Sequence, residues 1–226
     1  MTECVPRALG QQAARGDIDA GLLPVADYFR LEGRFERLGP LGIAVRGRVR
    51  SVLLFARTPI RQLEGATIAV TEETSTSAVL LRLLLEQRYH VTPSSYTRTR
   101  DLNADALMLI GDEALRFRTT NTQYPFEVDL AFEWWLWQHL PFVFAVWAIR
   151  KDLPASDKKA FETTLSKTLG VNQHQHELIA SEYAPVLGVP VEELTVYLSQ
   201  FIYRLGASEE EGLQQFRKLI DESHLL

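Results

Sequence analysis

Apolar positions along this chain switch between near-continuous runs, the mark of buried strands, and the three-to-four residue spacing of helices. Residues 7–15 have helical composition, Gly16 is a natural C-terminal stop, and residues 18–25 read as a buried strand. A short helix at 26–31, a loop at 33–40 and a short apolar segment at 41–45 follow. Residues 49–55 read as an apolar strand with Ser51 as a polar residue inside it. After a break at 59–65, residues 66–70 give a β-branched strand and 78–88 a leucine-rich helix. Residues 91–96 read as a polar edge strand, and 104–110 as an apolar strand that ends at Gly111 and Asp112 before another helical pattern. Nearly every residue of 140–149 is apolar or aromatic, which predicts a fully buried strand. Beyond Lys151, helical patterns at 156–169, 172–187, 191–205 and 208–222 make the last third helical, with Gly170, Gly188, Pro190 and Gly206 as punctuation.

Strands alternating with helices, then a helical tail, predict an α/β fold. Its chemistry is expected at two strand-to-helix turns. The first holds Thr71, Glu72, Glu73, Thr74, Ser75, Thr76 and Ser77. The first amides of a helix lack intrahelical partners and sit at the positive end of its dipole, so a carboxylate or phosphate can dock there, and these hydroxyls add donors. The same residues also serve as an ordinary N-cap at Thr74 or Ser75 with polar neighbours. Gly111 and Asp112 repeat the arrangement, with Gly111 allowing close backbone approach and Asp112 as a cap, although a plain strand-to-helix turn uses the same residues. At a shared sheet edge the two turns would form one wall of a crevice, where open α/β sheets bind ligands. Ser51 needs a partner, because an unpaired buried hydroxyl costs about 1–3 kcal/mol, and either a backbone carbonyl or a ligand can supply one. Phe132, Trp134, Trp135 and Trp137, within 126–139, read as core and crossover packing rather than a cofactor box.

Composition narrows the function further. The 226 residues fit one large domain or two small ones, and 46% hydrophobic residues suffice for a core. A net charge of −5, from 24 basic and 29 acidic residues without a basic stripe, argues against nucleic acid as partner. Cys4 is the only cysteine, which excludes an internal disulfide and a cysteine-based zinc site and fits a reducing compartment. The first twenty residues hold no apolar run of signal-peptide length, and no stretch approaches the roughly 20 apolar residues of a membrane span. A soluble, cytoplasmic chain without membrane attachment is expected. His174 and His176 stand two apart, so a helix points them to different faces, and they read as exposed residues rather than metal ligands. The sequence has no phosphate loop, zinc spacing, nucleophile elbow or repeat, so neither metal nor cofactor is expected.

Six stretches together carry a family likeness: GDIDAGLL at 16–23, VRSVLLF at 49–55, TSTSAVLL at 74–81, ADALMLIGDEAL at 104–115, LPFVFAVW at 140–147 and YLSQFIYRLGASEEEGLQQF at 197–216. In this order they resemble the chorismate dehydratases of the futalosine route to menaquinone. The resemblance implies a two-lobed, periplasmic-binding-protein-like fold of type II with a helical C-terminal region. Lobe 1 would comprise residues 1–53 and 143–226, lobe 2 residues 54–142, and two crossover strands would form the hinge. By the same likeness Ser51 matches the active-site serine on the first crossover strand. Thr74, Ser75, Thr76 and Ser77 match an anion-binding helix start, and Gly111 and Asp112 match the opposing cleft turn. Family members begin with a strand, a helix and another strand, and their first turn carries a Leu-Asn pair whose asparagine belongs to the active site. This chain starts after that turn, so lobe 1 is expected to lack its usual first strand.

The reaction implied is loss of water from chorismate to give 3-[(1-carboxyvinyl)oxy]benzoate. No histidine or lysine stands at the cleft motifs, so a carboxylate of the substrate is expected to take the ring proton while the protein positions and polarises. The expected partner is chorismate or a similar aromatic carboxylate, with the oligomeric state open. Two alternatives share the fold: a non-catalytic binding protein for a small aromatic carboxylate, and the sister 1,4-dihydroxy-6-naphthoate synthase, which needs a general base near the cleft.

Overall fold

The structure, a computed structural model of the chain, describes residues 4–98 and 101–226. Residues 1–3 and 99–100, which the expected lobes include, lie outside them. Its strands fall into two sheets. The first contains β1 (Ala20–Pro24), β2 (Phe35–Val45), β8 (Phe142–Arg150) and β9 (Phe201–Arg204), in the order β1-β8-β2-β9. Every neighbouring pair in it is antiparallel. The second contains β3 (Val52–Ala56), β4 (Thr67–Val70), β5 (Ser95–Thr97), β6 (Ala106–Ile110) and β7 (Phe126–Asp129), in the order β5-β4-β6-β3-β7. The chain leaves the first sheet after Val45, enters the second at Val52 and returns at Phe142.

Strand direction in the second sheet positions the site. β4 and β6 are parallel, so the turns that follow both lie at one edge. β3 runs antiparallel to β6 and pairs Val52 with Ile110, which brings the start of β3, and Ser51 just before it, to that edge. β7 is antiparallel to β3 and pairs Asp129 with Leu53, so Asp129 arrives there as well.

Helices α1 (Pro6–Arg15), α2 (Val25–Leu31), α6 (Ala155–Asn172) and α9 (Ala207–Ser223) accompany the first sheet; α3 (Thr76–Leu83), α4 (Gly111–Thr120) and α5 (Leu130–Gln138) accompany the second. α3 is wedged between the two, with Thr76, Ser77, Ala78, Val79, Leu80, Leu81 and Leu83 all buried. One apolar core therefore runs from Val25 and Ala44 through Leu80 to Met108. Trp134 of α5 is fully buried and meets Phe142 of β8 at 5.3 Å and Phe216 of α9 at 5.9 Å, both edge-on. Edge-to-face rings add about 0.5–1.5 kcal/mol per pair beyond their burial, and here they tie the two sheets together. The hairpin of α7 (His176–Leu187) and α8 (Val191–Ser199) leans on α4, where Leu115 packs among Ala180, Ala184, Leu187 and Leu194, and Arg118 reaches Glu193 at 3.6 Å. No helix among the described residues is long and apolar enough to cross a membrane.

Several expectations need correction. Residues 33–40 are not a loop, because β2 begins at Phe35 and absorbs Gly39 and Pro40 in a register shift between Arg37 and Gly42. A bulge admits a left-handed glycine and a residue without an N–H into a strand. The helix expected over 191–205 stops at Ser199, and the last third gains a strand, β9, whose Ile202 and Phe201 pair with Ala44 and Val45. In the stretch 91–96 only Ser95 and Tyr96 join a strand. The helical pattern over 78–88 begins at Thr76 and ends in a wide π-type turn, Leu84–Arg88. β8 is not fully buried, since Phe144, Ala145 and Trp147 are half-exposed. Asp112 is not a cap either: Ile110 holds the N-cap position of α4 and Asp112 stands in its first turn.

Candidate functional site

Ser51 is 3% exposed and held from three sides. Arg50 before it is a non-glycine residue in the left-handed region, at φ 64°, and its N–H donates to Asp129 Oδ2 at 2.7 Å. Asp129 also caps α5 by accepting from the Phe132 N–H at 3.1 Å, so one buried carboxylate fixes both a helix start and the backbone before Ser51. The Ser51 carbonyl accepts from the Gly111 N–H at 2.7 Å. Its hydroxyl accepts from the Tyr197 phenol of α8 at 3.0 Å. Burial pushes the Tyr197 phenol up to about 12, against the lowering effect of its hydrogen bond with Ser51 and with the charge of Asp112 adding to the rise, so the phenol stays protonated. Gly111 is called for by its backbone, at φ 57°, and not by crowding, since a Cβ there would meet nothing within 4 Å.

The turn after β4 is more enclosed than its polarity suggests. Thr71, Thr74, Thr76 and Ser77 are all buried. The Thr71 N–H donates to the Met108 carbonyl at 3.0 Å and so continues the ladder with β6. Arg98 donates to the Thr74 carbonyl at 3.0 Å, and the Arg7 N–H to the Glu73 carbonyl at 3.0 Å. Ser75 occupies the N-cap position of α3 without a capping side-chain hydrogen bond. The Thr76 hydroxyl accepts from the Ala26 N–H at 3.1 Å and joins the starts of α2 and α3.

Of the residues named from the sequence, Ser51 and Gly111 are in direct contact, and the turn from Thr71 shares their sheet edge. Asp112 and Glu73 line a cleft of about 610 Å³ together with Val5, Glu113, Arg116 and Phe117. Ser51, Thr74, Ser75, Thr76 and Ser77 do not line it. Burial raises the Glu73 carboxyl, and the charges of Glu113 and Asp112 raise it further. A second group of charge gathers at the same turn: burial lowers the Arg98 guanidinium, and Arg7 and Arg30 nearby add to the effect. His174 and His176 line a different cleft, of about 360 Å³, with Tyr203 and Arg204. Among the described residues no group of three or more His, Cys, Asp or Glu could hold a metal ion.

Sequence reasoning missed Tyr197 and Asp129. Asp129 had a readable signal, an aspartate directly before an apolar helical run. Tyr197 had only its membership in the stretch 197–216, because nothing local links it to Ser51, which lies 146 positions away.

A family model described as menaquinone biosynthesis matches residues 1–222. This chain belongs to that family. Within it, the chain is 33% identical to the chorismate dehydratase of Thermus thermophilus over 241 residues, covering 97% of this chain and 86% of the relative. The fold is that of periplasmic binding proteins. A structure from Archaeoglobus fulgidus aligns with TM-score 0.77 at 20% identity, covering 100% of this chain and 86% of that one. The periplasmic aliphatic sulphonate binding protein of Escherichia coli aligns with TM-score 0.65 at 17% identity, covering 98% of this menaquinone-biosynthesis chain and 75% of its own.

Proposed function

We propose that this member of the menaquinone-biosynthesis family is a cytoplasmic hydro-lyase that removes water from chorismate to give 3-[(1-carboxyvinyl)oxy]benzoate, on the futalosine route. The observation that carries the reading is the Ser51 hydroxyl, held by Tyr197 where the start of β3 meets the turns after β4 and β6, in a chain with a chorismate dehydratase as relative. In this reaction a ring proton leaves and its electron pair forms a ring double bond. The ring hydroxyl departs with its bonding pair and, with a proton, becomes water; the ring becomes aromatic. The chemistry is redox-neutral and requires a proton acceptor, a proton donor for the leaving oxygen and a fixed substrate.

A carboxylate of the substrate takes the ring proton, and Ser51 faces the charge that develops on the leaving oxygen. The starts of α3 and α4 converge on one sheet edge, and of the two only α3, whose first turn holds no acidic residue, favours a substrate carboxylate through its dipole. The acidic side chains of Glu73, Asp112 and Glu113 repel a second anion from the neighbouring cleft, which directs the substrate toward the amides.

Purified protein incubated with chorismate is expected to yield a product lighter by one water. Ser51→Ala is expected to lower kcat by a factor on the order of 10², the usual scale for losing one donor at a developing charge. Binding of chorismate without any product would leave only the reading as a binding protein. Turnover unchanged in Ser51→Ala would move the chemistry away from Ser51.

A further inference from the structure

We infer that Tyr197 is a positioning residue that aims the Ser51 proton, and that the α7–α8 hairpin is the element that delivers it to the second sheet. The inference rests on the proposed role of Ser51 and adds to it how that hydroxyl is oriented.

A serine hydroxyl has one proton to give and can accept from others. The Tyr197 phenol gives its single proton to Ser51 Oγ at 3.0 Å, so one acceptor direction of Ser51 is occupied and its own proton is free for another oxygen. A hydroxyl that accepts a hydrogen bond is polarised into a better donor, the more so away from water. Tyr197 performs this role without changing protonation state, because its burial outweighs the lowering effect of the Ser51 hydrogen bond and keeps the phenol neutral well above neutral pH.

The phenol reaches Ser51 from outside the second sheet. Its ring stands edge-on to Phe201 of β9, with centroids 5.0 Å apart, so the tyrosine is anchored to a strand of the first sheet. The hairpin that carries it rests on α4 of the second-sheet side through Leu115 and the Arg118–Glu193 pair. Tyr197 thus touches Ser51 only while the hairpin is seated. Packing on Phe201 would be served equally by phenylalanine, whereas the phenol oxygen has its hydrogen bond with Ser51.

The test is a double-mutant cycle on the full chain, with kcat and KM for chorismate measured for wild type, Tyr197→Phe, Ser51→Ala and the double variant, and thermal melting confirming that each is folded. Tyr197→Phe is expected to lower kcat roughly 5- to 30-fold, the scale of one hydrogen bond to a reacting group, with KM nearly unchanged. In the Ser51→Ala background the same substitution is expected to have no further effect. If Ser51→Ala lowers kcat and Tyr197→Phe does not, or if Tyr197→Phe costs the same factor in both backgrounds, the positioning role is overturned while the proposed function stands. If Ser51→Ala leaves kcat unchanged, the roles of Ser51 and Tyr197 fall together, while the dehydration of chorismate itself stands. Should the wild type not turn chorismate over, the proposed function fails alone, and the cycle is read from the calorimetric Kd of 3-hydroxybenzoate: coupled losses support the Tyr197–Ser51 link and additive ones refute it.

Discussion

Replacing Asp129 by alanine removes the one side chain that serves two backbone groups behind the site. The Phe132 N–H loses its helix cap, which costs about 0.5–2 kcal/mol. The Arg50 N–H loses its acceptor in a half-buried place, and an unsatisfied donor there costs about 1–3 kcal/mol. Arg50 is also held in the left-handed region, so without that bond its backbone has reason to relax and carry Ser51 with it. We expect a loss of about 2–4 kcal/mol in urea unfolding at neutral pH. Charge modulates this figure. Burial raises the Asp129 carboxyl, although the hydrogen bonds from the Arg50 and Phe132 N–H groups and the charge of Arg48 pull it down. A carboxyl raised on folding contributes stability that is fully present below its unfolded value and is lost as pH rises through the folded one. The loss on substitution is therefore larger on the acid side of the carboxylate range than at neutral pH. Unfolding curves for wild type and Asp129→Ala across that range check both statements. A difference below about 0.5 kcal/mol, the noise level of ordinary surface substitutions, or one that grows toward neutral pH, would refute the reasoning.

Thr76→Val keeps the shape of the side chain but leaves the buried Ala26 N–H without its acceptor, so a loss of about 1–3 kcal/mol is expected in the same assay, and a neutral outcome would detach the start of α2 from that of α3. Gly212→Ala sets two effects against each other. Alanine favours the helix by about 1 kcal/mol, yet its Cβ would fall 2.1 Å from the Pro141 carbonyl oxygen, a backbone atom that cannot swing away. Overpacking of this kind costs about 1–3 kcal/mol or more, so the melting temperature should fall, whereas a rise would show that α9 shifts freely.

The strands of the second sheet were legible because their apolar runs are short, β-branched and bounded by turn residues, as in Thr67–Val70 and Ala106–Ile110. β2 was hidden by Gly39 and Pro40, which read as punctuation in a chain but are absorbed by a bulge in a sheet. β9 was hidden by spacing: Tyr197, Leu198, Phe201 and Ile202 recur as on a helix, and only pairing with Ala44 and Val45 decides for a strand. The site was legible to the same extent. Gly111 and the turn after Thr71 stand where strand-to-helix punctuation points. The partners of the hydroxyls were not readable, because the Ala26 N–H and the Tyr197 phenol come from elements remote in sequence.

The convergence on Ser51 depends on one feature that no local pattern reveals, the direction of β3. In a wholly parallel sheet the start of β3 would lie at the edge opposite the ends of β4 and β6, and Ser51 would be a strand length away from Gly111. A strand of five residues spans about 17 Å at 3.3–3.4 Å per residue, well beyond the reach of any hydrogen bond. Because β3 is antiparallel to β6, the Ser51 carbonyl instead meets the Gly111 N–H at 2.7 Å, and the end of β7 brings Asp129 behind both. The same reversal explains why Ser51 can be reached from the first sheet. Helix α4 starts at that edge and carries the α7–α8 hairpin through Leu115, and the phenol of Tyr197 reaches Ser51 from there. A hydroxyl placed at the far edge would have faced neither helix start nor the hairpin, and on the proposed reading the antiparallel strand is what makes a donor out of Ser51.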